Sequence, residues 1–244
     1  MVNVSAELPP RSSLVERPLP FGTTLDRRLP VADQIYEALR DAIVTIRLLP
    51  GTALSENRIC RQFGVSRTPA RAAVLRLAEE GLIEVYPQQG SVVSLIRLSR
   101  MEASRFVRRS LETSILLEAA SVWTPAMSRD MRDIVESQRN AIESDAVDVF
   151  YREDLRFHQT LCLCAGRPEV WDTIAQAIAG LGRLVRLTYQ PERLPAVLVE
   201  HAAIIDALDS GDTSGAVHHL QFHLNQMFAV FSDLPVELRR YIAD

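Results

Sequence analysis

The chain has 244 residues, 47% of them hydrophobic and 24% charged, with a formal net charge of −4. That balance suits a folded protein of one large domain or two modest ones, and no apolar stretch reaches the roughly 18 to 20 residues of a membrane span. Three cysteines, Cys60, Cys162 and Cys164, make no disulfide framework, and the N-terminal segment lacks the apolar block of a signal peptide, so the expected compartment is the cytoplasm.

Residues 1–29 are rich in Pro, Ser and Arg without periodicity and read as a flexible arm. From Val31 the apolar positions Ile35, Ala38, Leu39, Ala42, Ile43 and Ile46 recur at helical spacing, until Pro50-Gly51 punctuates the run. "SENRICRQFG" predicts a short helix capped by Ser55 and ended by Gly64. "VSRTPARAAVLRLAEEG" predicts the next, with Ser66 as cap and Gly81 as terminator. Two β-rich runs, 82–86 and 91–96, then flank a Pro-Gln-Gln-Gly turn and predict a hairpin.

After Leu98 the strand signals vanish. Ser99 to Glu102 has capping-box spacing and opens a helix through about residue 122. Further helical patterns occupy about 127–144, 147–165, 168–188, 192–209 and 213–231, with Pro168 in the first turn of one and Asp212 as cap of the last. The fold class expected is mainly α: a winged helix-turn-helix over 30–96, an all-α bundle over 98–232 and a tail over 233–244.

Three helices and a hairpin within about 65 residues is the winged helix-turn-helix order. The second helix of the pair enters the major groove by its N-terminal residues, here Ser66, Arg67, Thr68 and Arg71. Two arginines and two hydroxyls at a helix start suit phosphates and base edges. The wing turn Gln88-Gln89-Gly90 offers a close backbone approach to the duplex. Charge leans the same way. Residues 1–97 carry 12 Arg against 10 acidic residues, a balance of +2, while 98–244 carry 15 against 21, a balance of −6. There is no lysine, so every fixed side-chain cation is a guanidinium.

In the helical half, Asp154 and His158 stand at i and i+4, on one helix face. His201 and His223 sit beside apolar residues on two later helices. A lone histidine in such a place is ordinarily a satisfied core or surface residue, and His219 is a rival to His223. Three imidazoles and a carboxylate converging in a bundle core would instead suit zinc, nickel, manganese or iron, with positions left for water or a ligand.

The stretch "LSENRICRQFGVSRTPARAAVLRLAEEGLIEVYPQQGSVV" resembles the DNA-binding domain of the GntR family of bacterial transcription regulators. The resemblance implies DNA contacts from Ser66, Arg67, Thr68, Arg71 and Gly90. Asn57 falls where some members carry a DNA-contacting arginine, and Ala72 replaces a common glutamate. The helical half resembles the FadR-type branch, whose metal-binding members share an Asp-x-x-x-His motif and two later histidines. That implies a divalent metal (zinc, nickel or manganese) on Asp154, His158, His201 and His223. It also implies an effector pocket with Arg108, the residue just before "RSLETSILLEAA", and Arg167 stands where asparagine is usual.

The expected function is a homodimeric repressor that binds a palindromic operator in double-stranded DNA and responds to a small carboxylate held by metal and Arg108. The alternatives are a metal-dependent hydrolase using the same four ligands, for which no HExxH or serine-elbow pattern is present, and a regulator with a purely structural metal.

Overall fold

A computed structural model describes residues 19–20, 24–26, 28–86, 90–229 and 234–243. The chain divides into two compact units, one essentially up to Ser94 and the other from Leu95 onward.

In the first unit, α1 spans Val31–Val44, α2 Glu56–Phe63 and α3 Arg67–Glu79, followed by the hairpin strands β2 (Ile83–Tyr86) and β3 (Gly90–Val93). A short strand not foreseen, β1 (Ala53–Leu54), joins the sheet in the order β1-β3-β2, all pairings antiparallel. The stripe predicted for α1 is buried at Ile35, Leu39, Ala42 and Ile43, although the helix stops at Val44, before Ile46.

The turn between α2 and α3 is built from local chemistry. The Ser55 hydroxyl accepts from the Arg58 amide, and Gly64 takes φ 65°, a left-handed conformation that closes α2 through its N–H to the Cys60 carbonyl. Ser66 occupies the cap position of α3 but its side chain makes no capping bond. α3 is tied to α1 at its C-terminal end. The Arg76 guanidinium lies 3.9 Å over the Tyr36 ring and pairs with Asp33, while Glu80 accepts from Tyr36 and, at 3.1 Å, from Arg40.

The second unit begins with strand β4 (Ile96–Arg97) and six helices: α4 (Leu98–Ser121), α5 (Pro125–Glu143), α6 (Val147–Cys164), α7 (Val170–Leu187), α8 (Leu194–Asp209) and α9 (Thr213–Ala229). α8 packs against α5 and α9, and α4 against α6, α7 and α9. One core runs through them, from Leu116 and Met131 to Phe157, Leu161, Ile204 and Leu220.

Four details depart from the sequence expectations. α4 enters directly from β4, so its first turn begins before Ser99; Arg97 is the cap residue, its side chain makes no capping bond, and the Ser99–Glu102 box is not used. The run 91–96 is broken, because β3 ends at Val93 and Ile96–Arg97 pairs in parallel with β5 (Ile242–Ala243). The residues read as a tail therefore carry a 3-10 turn, Val236–Tyr241, and a strand. Pro168 precedes α7, where its carbonyl accepts from the Trp171 amide at 3.2 Å. By contrast Asp212 does cap α9, its Oδ1 accepting from the Gly215 amide at 2.9 Å.

Candidate nucleic-acid interface and metal centre

The start of α3 presents Ser66, Arg67, Thr68 and Arg71 to solvent, and Asn57 on α2 is exposed as well. Arg67 and Arg71 enter no ion pair among the described residues, whereas Arg76, a turn and more further on, is spent on the fold. The helix thus keeps two guanidiniums uncommitted at the end that offers free backbone N–H groups. Gly90 opens β3 exposed, with φ 105°, a region that favours glycine. Gln88 and Gln89 lie outside the described residues.

In the second unit, α6 supplies Asp154 and His158, α8 supplies His201 and α9 supplies His223. The three histidines are 1%, 0% and 2% exposed, and Asp154 is half-buried. His223 Nε2 lies 3.2 Å from His158 Nε2 and 3.3 Å from His201 Nε2, and Asp154 Oδ1 lies 3.6 Å from His201 Nε2. One ligand atom from each of the four falls within 4.8 Å of all the others. His219, the rival ligand, is not in this group, and Arg167 pairs with Glu118 at the surface.

The outward nitrogens decide what the inward ones can do. His201 Nδ1 sits 2.9 Å from Gln138 Oε1, and His223 Nδ1 sits 2.7 Å from Glu200 Oε2. His158 Nδ1 approaches Glu112 Oε2 at 2.7 Å, bent away from ideal hydrogen-bond alignment. All three neighbours are acceptors, so each Nδ1 carries the proton and each Nε2 keeps its lone pair. Burial lowers the pKa of His158 against the opposing pull of Glu112, and lowers that of His201 much further, helped by the other two histidines. In that tautomer the Nε2 lone pair of His223 faces those of His158 and His201 at hydrogen-bond distance. That arrangement repels itself unless a cation sits among them. For metal–nitrogen bonds of about 2.0–2.1 Å at roughly tetrahedral angles, the nitrogens would stand about 3.2–3.4 Å apart, which is the spacing of His223 from His158 and from His201. The donor set fits a divalent ion.

The groups behind the histidines are the ones sequence reasoning missed. Burial would raise Glu112, but Arg108 and His158 outweigh it and hold the carboxyl at about 2. Arg108, 1% exposed, donates from Nε to Glu112 Oε1 at 2.5 Å. Glu200 is likewise pushed up by burial and held down by hydrogen bonds from His223 and Arg193, the latter at 2.6 Å. Phe157 stacks on His201, ring centroids 3.8 Å apart and planes 4° from parallel, which fixes that ring's tilt. A usable signal was in the sequence. Gln138 continues the apolar stripe Met131, Ile134, Val135 of α5, and Glu112 interrupts the inward stripe of α4.

Comparison with known proteins gives the same division. The family model "Bacterial regulatory proteins, gntR family" matches residues 31–93 and the "FCD domain" model matches residues 104–226. The chain is 34% identical over 206 residues to the HTH-type transcriptional repressor RspR of Escherichia coli, covering 84% of this chain and 90% of that protein. It is 27% identical over 205 residues to the gluconate operon transcriptional repressor of Bacillus subtilis, covering 82% and 84%. The solved structure of E. coli McbR/YncC shares the fold, with a TM-score of 0.71 at 21% identity over 84% of this chain and 98% of that one. These relatives are transcriptional regulators, not enzymes, and nothing among them supports the hydrolase alternative.

Proposed function

This chain belongs to the GntR family of bacterial regulatory proteins, a DNA-binding transcriptional regulator with an FCD domain, and from that premise we propose a metal-loaded, acid-responsive repressor. Repression is supported by the two relatives named as repressors. Ser66, Arg67, Thr68 and Arg71 at the start of α3 meet base edges and phosphates in the major groove, Gly90 lets the wing approach the backbone, and Asn57 adds a contact from α2. The chain acts as a homodimer in the cytoplasm, since two recognition helices reading a palindrome require two-fold symmetry.

Asp154, His158, His201 and His223 hold one divalent ion, zinc, nickel or manganese. The observation that carries this reading is the convergence of three imidazole nitrogens and one carboxylate oxygen in a buried core. Bound there, the ion would supply a Lewis-acidic position for a small carboxylate, and Arg108, whose Nε holds Glu112, would donate a hydrogen bond to the same anion. Effector binding biases the helix packing of the FCD unit and so the affinity for operator.

The test is metal content and operator affinity of the full chain beside His158→Ala/His201→Ala/His223→Ala. One ion per chain in the parent, none in the variant, and an operator affinity that shifts with a carboxylate only in the loaded parent are expected. A parent that takes up no zinc, nickel or manganese would sink the metal reading. Metal uptake with no response to any acid would leave a structural ion.

A further inference from the structure

Two of the three histidines are backed by the same three-part chain. Glu112 stands 2.7 Å behind His158 and Arg108 stands 2.5 Å behind Glu112. Glu200 stands 2.7 Å behind His223 and Arg193 stands 2.6 Å behind Glu200. The third histidine is backed by the neutral amide of Gln138. A carboxylate behind an imidazole orients the ring and raises its basicity toward a metal. It also adds a negative charge, and here each such charge is met by an arginine. The two carboxylates and two arginines therefore sum to zero. A divalent ion whose only charged ligand is Asp154 then retains one unit of positive charge, enough to draw an anion into the buried site.

We infer that Glu200 and Arg193 are positioning residues with divided work: Glu200 holds His223 for the metal, and Arg193 cancels Glu200 so that the loaded centre stays attractive to an anion. This rests on the metal-and-carboxylate reading above. The competing account is that the pair simply staples the 3-10 turn Pro191–Arg193 to the middle of α8. A staple is lost equally by removing either partner. Divided work gives opposite signatures, because removing the carboxylate weakens the metal while removing the arginine leaves an extra negative charge that favours the metal and opposes the anion.

The Arg193–Glu200 arm is the one to test. Its side chains are 26% and 10% exposed, whereas Arg108 and Glu112 are 2% exposed and their replacement endangers folding. In the full-length chain, cobalt(II) affinity is measured by chelator competition, and acetate is then titrated against the visible bands of the cobalt-loaded protein. Glu200→Gln is expected to lose cobalt affinity roughly 10- to 100-fold. Arg193→Gln is expected to keep or tighten cobalt binding and to lose acetate affinity roughly three- to tenfold, and Arg193→Lys to restore it.

Equal cobalt losses in both variants, or acetate binding indifferent to Arg193→Gln, overturn the inference while leaving the metal reading intact. A parent that binds no cobalt overturns both, and a parent that binds cobalt but no acetate removes the effector half and this inference with it. Should Glu200→Gln fail to fold, the Arg193→Gln and Arg193→Lys pair decides alone, since a staple predicts no loss of acetate affinity at unchanged cobalt affinity.

Discussion

Arginine does opposite work in the two units. On α3 of the DNA-binding unit, Arg67 and Arg71 are exposed and outside any described ion pair, so their charge is kept for a partner. In the helical unit Arg108 and Arg183 are 1% and 2% exposed. Burial makes the charged form of a guanidinium harder to keep. Arg108 is matched by Glu112, and burial pulls Arg183 down to about 10. The difference teaches where each unit's electrostatics point. Arg67 and Arg71 face outward and suit a polyanion, while Arg108 is turned inward to the Glu112 carboxylate behind His158.

The same class of change should therefore register in different observables in the two units. The largest effect is expected at Glu112→Ala, which strips Arg108 of its carboxylate in a fully buried setting. Uncoupling a buried pair in this way costs about 3–5 kcal/mol, read as a lowered urea midpoint of the metal-free protein. A loss under about 1 kcal/mol would mean that the pair is far wetter than its burial implies, and the contrast between units would fail.

Next come Arg67→Ala and Arg71→Ala. Each should leave the urea midpoint within about 0.5 kcal/mol of the parent and weaken operator binding by about 1–3 kcal/mol. A salt titration sharpens the assignment: an arginine on phosphate lowers the slope of affinity against salt, and one on a guanine edge instead relaxes sequence preference. If either variant melts early with operator affinity intact, α3 uses that arginine as it uses Arg76, for architecture.

How much of this could be read in the sequence follows from how local each signal is. The helix-turn-helix was legible because Ser55, Gly64 and Gly81 act on their own neighbours, and their effect does not depend on the remainder of the fold. The pair Asp154 and His158 was legible for the same reason, being one turn apart. That His201 and His223 join them rested on a family resemblance, since no spacing rule links residues on three helices. Arg193, Glu112, Gln138 and Glu200 were not singled out. Each is an ordinary polar residue in its own helix or turn, and only the packing of α4, α5, α8 and α9 brings them behind the imidazoles. The strand pairing of Ile96–Arg97 with Ile242–Ala243 was hidden for a related reason: two residues carry no periodicity, and their partner lies at the far end of the chain.

A smaller effect is expected at Ser55→Ala. The hydroxyl caps one of the orphan amides of α2, and its removal costs about 1 kcal/mol. Because α2 and the turn after it set the entry of α3, the loss should appear in the melting of the DNA-binding unit. The melting of the helical unit should not change, and a shift there would mean that the two units do not melt independently.

The smallest effect is a pH dependence at the α1–α3 junction. Tyr36 is pushed up to about 12, first by burial and then by the Glu80 carboxylate that its hydroxyl bonds, against the opposing pull of Arg40. The sign follows from the neutral phenol being the form that the fold prefers. An unfolded tyrosine ionises near its ordinary 10, so the stabilisation is fully present below pH 10 and drains away as the pH rises from 10 toward 12. The DNA-binding unit should therefore lose stability over that window, and Tyr36→Phe should flatten the dependence there because no phenol remains to ionise. The hydroxyl lies at the part-buried margin of the unit, so the effect is modest. Arg76 sharpens the attribution, since its guanidinium stacks on the same ring and pairs with Asp33. Arg76→Met should lower stability at all pH values without moving the alkaline window. If Arg76→Met flattened the window instead, the guanidinium rather than Glu80 would govern the phenol, and the α1–α3 contact would be cation-held rather than hydrogen-bonded.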